Sequence, residues 1–227
     1  MGSLEHAPAY PCCGNLTFHE PGNGRCVEYK RGPLQRALEQ APPTPARRSL
    51  IVFLDFETTG LDPQRGAEPI ELAAIVTDDN FRELGSFETL IEPHLAPSYW
   101  DAAAREMHDR SGLGWMARFC SSRREPVGLA FLHFLTGFNA ETLHLAGNSI
   151  HFDRGFLKHY WPDLERLFHH RMIDVSSLRM VGERVTNAAP LQGEKPHRAM
   201  VDVRRSIAEL HHWTRALRYA DLRGDGA

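Results

Sequence analysis

The chain has 227 residues, of which 42% are hydrophobic and 24% charged, a composition near the globular average that excludes wholesale disorder. Its 26 basic and 29 acidic residues give a formal charge of -3. This balance excludes a polybasic protein that binds nucleic acid by bulk charge, but not a short nucleic-acid substrate in a local site. At about 100–200 residues per domain, the length indicates one large domain with or without an appendage.

The compartment is indicated by the apolar runs and the cysteines. No apolar run approaches the roughly 18 residues that a membrane helix needs, and the N-terminus lacks the apolar stretch of a signal peptide. The chain has four cysteines, three of them before residue 27, which is not a disulfide framework. We therefore expect a cytoplasmic protein with no membrane partner.

Residues 1–47 differ in composition from the rest and are predicted to form a small irregular N-terminal appendage. They are rich in proline and glycine, and they end in a proline-rich stretch at 41–48 that is typical of an extended linker. A short helix is predicted over 32–40. The main domain is predicted to span 48–221, followed by a tail at 222–227.

Four candidate zinc ligands lie close together in the appendage: Cys12, Cys13, His19 and Cys26. Thiolate and imidazole groups are common zinc ligands, but adjacent cysteines do not make the usual knuckle, in which two residues separate the pair. The segment is therefore interpreted either as a loose extension with incidental cysteines, which we favour, or as a small loop held by zinc.

Strand patterns dominate the first half of the main domain. Residues 50–54 form a continuous apolar run that is typical of a strand buried on both faces. Strands are also predicted over 70–77 and 85–91, with a turn around 78–80 between them. A helix is predicted over 100–108.

Helices and strands alternate in the second half. The pattern predicts a helix over 127–138, a strand over 143–146, a helix over 152–160, a strand over 172–175 and a loop over 186–196. Ala199, Val203, Ile207 and Leu210 recur at helical spacing and predict a final amphipathic helix. This order predicts an α/β fold, a mixed five-stranded sheet flanked by helices.

Asp55 and Glu57 stand two residues apart where the first predicted strand ends. The strand period of two puts both carboxylates on one face, where they are costly unless a positive charge lies nearby. A divalent cation such as Mg²⁺ or Mn²⁺ would supply that charge; the alternative is a solvated pair at the sheet edge. The turn from Thr58 to Pro63 is expected to expose backbone N–H groups to a phosphate or ribose.

Two later segments carry further candidates. Asp153 lies near a predicted helix start, where a capping role is the alternative. Five helical residues turn through about 500°, so His197 and Asp202 converge only if His197 lies in the loop before the last helix, and Pro196 favours that arrangement. His197 could then accept a proton beside metals held by the acids; otherwise it is one surface histidine among 13.

Together, four acids and one histidine suit hydrolysis of a phosphodiester with two metal ions. Three ordered motifs resemble those of the DEDDh 3′–5′ exonucleases, and most of all those of the oligoribonucleases. They are FLDFETTGLDP at 53–63, GNSIHFDRGFL at 147–157 and HRAMVD at 197–202, accompanied by DVSSL at 174–178. The resemblance covers about residues 49–217.

The resemblance implies an RNase H-like sheet and removal of mononucleotides from 3′ ends of short single-stranded RNA, and also of short DNA. Two Mg²⁺ or Mn²⁺ ions would be held by Asp55, Glu57, Asp153 and Asp202, with His197 as the general base. A homodimer is also implied. Contacts with the substrate are assigned to seven residues: Thr58, Gly60, Leu61, His108, Asn148, Ser149 and His170.

The chain departs from the oligoribonuclease pattern at two aromatic positions. It offers His170 where the family has an aromatic residue, often tyrosine, that reaches the partner subunit's site. The family's tryptophan shortly before the His108 position is absent, and Trp100 stands several residues too early. Stacking is worth roughly 1–3 kcal/mol per base, so the preference for dinucleotides stays open. Val201 replaces a common acid, and we expect little effect from it.

Three other functions are weighed against this one. General 3′–5′ trimming or proofreading of longer RNA or DNA differs in substrate length, and the overall charge favours short substrates. A non-catalytic oligonucleotide-binding module would not need the complete set of acids with His197. An HD-type phosphohydrolase using His108 and Asp109 would be all-helical, against the predicted strands. The chain also has no GxGxxG turn and no P-loop.

Overall fold

The computed structural model describes residues 17–19, 26–28, 49–193 and 197–223. The chain divides into two compact units, Met1–Pro42 and Pro43–Ala227. In the first unit, strands β1 (Thr17–His19) and β2 (Cys26–Glu28) form an antiparallel pair with His19 opposite Cys26. This regular pairing was not expected in an irregular appendage. The other two candidate zinc ligands and the helix predicted over 32–40 lie outside the described residues, so both stay predictions.

The second unit is built on a mixed five-stranded sheet. Strands β3 (Ser49–Thr58), β4 (Pro69–Thr77) and β5 (Glu83–Leu90) are antiparallel neighbours, while β6 (Thr142–Gly147) and β7 (Ile173–Asp174) continue parallel to β3. The order across the sheet is β5-β4-β3-β6-β7. Strand β3 is therefore paired on both edges, and because both of its faces are covered its residues 50–54 are all apolar. The predicted fold class is confirmed.

Helices flank this sheet. In the described ranges they are α1 (Ala102–Ser111), α2 (Leu113–Arg118), α3 (Arg124–Thr136), α4 (His151–Tyr160), α5 (Pro162–Glu165), α6 (Val175–Val185) and α7 (Ala199–Arg223), with 3₁₀ turns at Pro63–Arg65 and Pro97–Tyr99. None of the described helices is long and apolar enough to cross a membrane.

The alternation along β3 decides which side chains meet the last helix. Its odd-numbered residues share one core cluster with β4 and α7, formed in part by Ile51, Phe53, Ala73, Ile75, Ala199, Val203 and Leu210. Its even-numbered residues face the other side, where Phe56 stacks on Trp161 with the ring centroids 5.8 Å apart. Asp55 and Glu57 continue the odd-numbered series, so they project from the side of the sheet on which α7 packs.

Helices α2 and α6 were not predicted. The strand predicted over 172–175 is only Ile173–Asp174, and α6 begins at the next residue. Asp174 caps this helix, since its Oδ1 accepts a hydrogen bond from the Ser177 N–H at 3.2 Å. The buried residues of α6 are Val175 and Gly182.

Candidate active site

The acids of the first motif lie where β3 separates from its neighbours. The pairing of β3 with β6 ends at Phe53, and its pairing with β4 shifts register between Glu57 and Thr58. An irregularity of this kind bends a strand and redirects its side chains. Asp55 is half-buried here, and Glu57 is only 6% exposed.

Asp153 is fixed by the backbone of the same strand. It lies in the first turn of α4, and its Oδ1 accepts a hydrogen bond from the Phe56 N–H at 2.9 Å. The capping alternative is wrong, because the residue at the N-cap position is Ile150. The buried Asp153 carboxylate is instead directed at the strand that carries Asp55 and Glu57.

His197 and Asp202 come from the start of α7. Asp202 lies in the first turn of this helix, which is held to the core by buried Ala199 and Val203. His197 lies two residues before the helix with a φ of 52°, a left-handed conformation that is uncommon outside glycine. The two side chains therefore meet at one cavity, as their spacing required. Pro196 lies outside the described residues.

These groups form a compact cluster of oxygen ligands. One carboxylate oxygen from each of Asp55, Glu57 and Asp202 lies within 4.8 Å of the others. With Asp153 and His197, they line a cavity of about 460 Å³. Carboxylate oxygens are the ligands that hard divalent cations prefer, so the residues present fit the metal ions that the motifs imply.

Burial raises the pKa values of Asp55, Glu57 and Asp153, and repulsion between the acids adds to this effect for Asp55 and Glu57. Burial and the charges of Asp202 and Glu71 raise the pKa of Glu57 to about 8. Burial also raises the pKa of Asp153 to about 8, against the hydrogen bond from Phe56, which lowers it. The pKa of Asp55 is raised by burial and by its acidic neighbours. Without metal the cluster therefore retains protons near neutral pH, and a divalent cation would displace them.

Comparison with known proteins identifies the family. A family model described as Exonuclease matches residues 52–210, a range that includes all the acids of the cluster and His197. The chain belongs to the exonuclease family. The family predicted from the three motifs is thereby confirmed.

The curated relatives of this exonuclease include oligoribonucleases. The oligoribonuclease of Corynebacterium efficiens is 35% identical over 193 residues, which cover 81% of this chain and 86% of the relative. That of Escherichia coli K12 is 34% identical over 178 residues, which cover 74% of this chain and 95% of the relative. The resemblance to oligoribonucleases therefore extends over most of both sequences.

Solved structures share the fold of the exonuclease at lower identity. Exonuclease I of E. coli in complex with a dT13 oligonucleotide gives a TM-score of 0.56 at 20% identity, covering 76% of this chain and 43% of that one. Exonuclease I from Methylocaldum szegediense gives 0.56 at 20%, covering 74% and 40%. The chain thus spans less than half of these proteins, and such identities establish the fold alone.

Most of the predicted substrate-contacting residues line the cavity of the exonuclease: Thr58, Gly60, Leu61, Asn148 and Ser149. Leu61 is 76% exposed. Asn148 is held between two helices, since its Nδ2 donates to Ser206 Oγ at 2.9 Å and its Oδ1 accepts from Ser176 Oγ at 3.1 Å. The loop of the second motif is therefore fixed against α6 and α7.

His108 corrects the sequence analysis, because it is fully buried and does not line this cavity. Its Nε2 donates to the Thr58 carbonyl oxygen at 2.8 Å, and its Nδ1 lies 4.0 Å from Glu57 Oε2. Burial lowers its pKa despite the hydrogen bond to Thr58, which raises it. His108 thus holds the end of β3 through the Thr58 carbonyl. Its complete burial also argues against an HD-type metal pair formed by His108 and Asp109.

Two further expectations need comment. The turn after β3 was expected to offer free backbone N–H groups, but the Thr59 N–H donates to the Glu68 carbonyl at 2.8 Å and that of Leu61 to Asp101 Oδ2 at 3.3 Å. That expectation is wrong for these two groups. His170 is exposed and packs on His169. Its predicted contact is with a partner subunit's site and stays a prediction.

The motif analysis missed part of the cavity wall, which includes Asp101, Ala103, Ala104, Met107, Phe152, Arg205 and Ser206. Helical spacing could have found some of these residues. Ala103 and Met107 are four apart on α1, so they share one face. Arg205 follows Asp202 by three residues on α7, which brings a positive charge to the side of the helix that carries a predicted ligand.

Proposed function

We propose that this exonuclease removes 5′-mononucleotides from the 3′ ends of short single-stranded RNA, using two Mg²⁺ or Mn²⁺ ions. Membership of the exonuclease family and the oligoribonuclease relatives support this activity. The observation that carries the assignment of the site is the meeting of acids from β3, α4 and α7 with His197 at one cavity. A binding module without turnover would not need this arrangement.

Four acids would hold the two ions: Asp55, Glu57, Asp153 and Asp202. Their oxygen atoms suit Mg²⁺ and Mn²⁺. Burial raises the pKa values of Asp55, Glu57 and Asp153, and the charges of neighbouring acids raise those of Asp55 and Glu57 further. When bound, such ions lower the pKa of water and stabilise the charge that develops on the phosphate. The nearby Arg198 is hydrogen-bonded to Glu71, and its charge lowers the pKa of Glu57.

His197 would act as the general base. Its side chain is exposed and lines the cavity beside the acids, and imidazole is suited to accept a proton near neutral pH. A ring nitrogen would take the proton from the attacking water as the new P–O bond forms. The bond to the 3′ oxygen of the penultimate nucleotide breaks, and that oxygen takes up a proton from solvent. The products are a nucleoside 5′-monophosphate and an RNA shortened by one residue with a new 3′ hydroxyl.

The cavity is suited to the end of a strand. Its volume of about 460 Å³ lies within the range of roughly 300–1,000 Å³ that is typical of small-ligand sites. The exposed Leu61 would pack against the terminal bases, with apolar contacts from Met107 and Phe152. Asn148 and Ser149 offer polar groups to the sugar and phosphate. These contacts can hold one or two nucleotides without an extended basic surface.

A length series tests the proposed function. RNAs of two, five and twenty nucleotides, labelled at the 5′ end, would be followed in Mn²⁺ with Asp55→Asn protein as the control. We expect rapid cleavage of the dinucleotide and little of the twenty-mer. Laddering of the long RNA with a slow dinucleotide reaction would instead indicate a general 3′–5′ trimming enzyme, and cleavage of none of them would contradict the proposal.

The assembly, the compartment and the appendage complete this proposal. The resemblance supports a homodimer in which His170 contacts the partner subunit's site, and a monomer by light scattering would contradict it. The few cysteines support the cytoplasm as the compartment. Residues 1–47 form an appendage separate from the exonuclease domain of 48–221, with 222–227 as a tail. Zinc analysis of purified protein against a Cys26→Ser variant tests whether the appendage binds metal.

A further inference from the structure

We propose that Glu71 is a positioning residue that holds His197 in place through Arg198. This inference rests on the proposed role of His197 as the general base. Glu71 is fully buried on β4 and stands directly opposite Glu57 in the register of β3 and β4. Neither Glu71 nor Arg198 lines the catalytic cavity, so neither is placed to contact the substrate.

Both oxygens of Glu71 bind the turn that follows His197. Oε1 accepts hydrogen bonds from Arg198 Nε at 2.9 Å and Nη2 at 2.7 Å, and Oε2 accepts one from the Ala199 N–H at 2.9 Å. Paired bonds from a planar guanidinium fix its orientation as well as its distance. The Ala199 N–H belongs to the first turn of α7, where amides lack partners within the helix. One carboxylate therefore fixes the start of α7 and the residue next to His197.

The conformation of His197 makes this anchor necessary. A φ of 52° is sparsely populated for residues other than glycine, and it persists only where the surrounding structure imposes it. The Glu71 contacts impose it from the C-terminal side. On the N-terminal side, Arg205 donates to the carbonyl oxygens of Leu191 at 3.1 Å and Gly193 at 3.2 Å, which ties the preceding loop to α7.

The position of Glu71 relates the base to the metal ligands. Because Glu71 of β4 lies opposite Glu57 of β3, the residue that anchors the turn after His197 is a direct neighbour of one of the proposed metal ligands. Loss of the anchor should let His197 move while the acids of β3 stay in place. Since misplacement of a catalytic group impairs the chemical step, kcat should fall with little change in KM.

The test uses Glu71→Gln, Arg198→Met and Arg198→Lys, assayed on a dinucleotide RNA in Mn²⁺. We expect Glu71→Gln and Arg198→Met to lower kcat about 10–100-fold, with KM within about twofold. Arg198→Lys should recover part of the loss, because it keeps the charge but not the paired geometry. The matched control is Arg204→Met. It breaks the exposed ion pair between Arg204 of α7 and Glu83 of β5 and should leave kcat unchanged.

A double-mutant cycle with His197→Ala separates positioning from general damage. If Glu71 acts through His197, then adding Glu71→Gln to the His197→Ala variant should lower kcat little further. Full additivity, a near-normal kcat in Glu71→Gln, or loss of Mn²⁺ binding in that variant would each overturn the inference. If circular dichroism shows that Glu71→Gln does not fold, the same double-mutant cycle with His197→Ala uses Arg198→Met and Arg198→Lys instead. Near-normal activity of His197→Ala alone would instead refute the proposed base, and this inference with it.

Discussion

At the scale of single residues, the proposed metal site is a group of like charges held close together. Asp202 has a carboxylate oxygen within 4.8 Å of those of Asp55 and Glu57, and its charge raises the pKa of both. Replacing Asp202 with Asn should therefore abolish turnover, because a metal ligand and its charge are lost. The same change should leave the melting temperature of metal-free protein equal or higher, because repulsion is relieved. Mononucleotide release and thermal denaturation in EDTA measure the two effects, and near-normal turnover would refute the assigned site.

His197→Ala should lower kcat roughly 10²–10⁴-fold, the usual contribution of a general base. The matched control is His211→Ala, an exposed histidine on α7, the helix that follows His197, which should change kcat little. Steady-state rates on the dinucleotide decide the matter. A fall in kcat of only a few-fold would indicate that His197 is an ordinary surface histidine.

The raised pKa values predict that stability depends on pH in a particular direction. Burial raises the pKa values of Glu57 and Asp153 to about 8 in the folded protein, from ordinary values of 4.5 and 3.8. The folded state therefore binds more protons than the unfolded state between about pH 4 and 8. The free energy of unfolding of metal-free protein should fall as the pH rises through this window, by at most about 1.4 kcal/mol per pH unit for each group.

Urea denaturation in EDTA at pH 5.5 and pH 8 measures this change. Glu57→Gln is the control, since removing one of the titrating groups should flatten the slope. Added Mn²⁺ should restore most of the stability at pH 8 and less at pH 5.5, because binding requires deprotonated ligands. A metal-free protein that is more stable at pH 8 would contradict the prediction.

At the scale of helices and strands, periodicity predicted the site where the relevant contacts are local. The alternation of β3 placed Asp55 and Glu57 on one face, and the spacing of His197 and Asp202 required a turn before α7, as the structure shows. The burial of His108 could not be predicted in this way. It depends on the Thr58 carbonyl, which reaches His108 only through the folding of β3 against α1.

The contact between α6 and α7 gives a prediction at this scale. A Cβ added to Gly182 of α6 would overlap the fully buried ring of Trp213 on α7, so Gly182→Ala should lower the free energy of unfolding by about 1–3 kcal/mol. Gly155→Ala on α4 is the matched control, because nothing lies within 4 Å of its added Cβ. It should be neutral or stabilising by about 0.5–1 kcal/mol. Equal effects in urea denaturation would contradict the proposed packing.

At the scale of the whole molecule, the order of elements predicted a mixed sheet with helices, but not which strands are neighbours. Strands β3, β4 and β5 follow one another in sequence and in the sheet, as short connections favour. The pairing of β6 with the other edge of β3 is non-local, because α1, α2 and α3 intervene. That pairing brings α4, and with it Asp153, beside the acids of β3. The family motifs predicted this meeting of acids, whereas periodicity alone did not.

The acids come from opposite ends of the exonuclease domain, since Asp55 lies on its first strand and Asp202 on its last helix. During synthesis, a ribosome-bound chain would therefore carry an incomplete site until α7 has left the exit tunnel and packed on the sheet. An RNA-degrading enzyme built in this order stays harmless to transcripts nearby while it is being translated. A product that terminates before α7 would be inert rather than partly active.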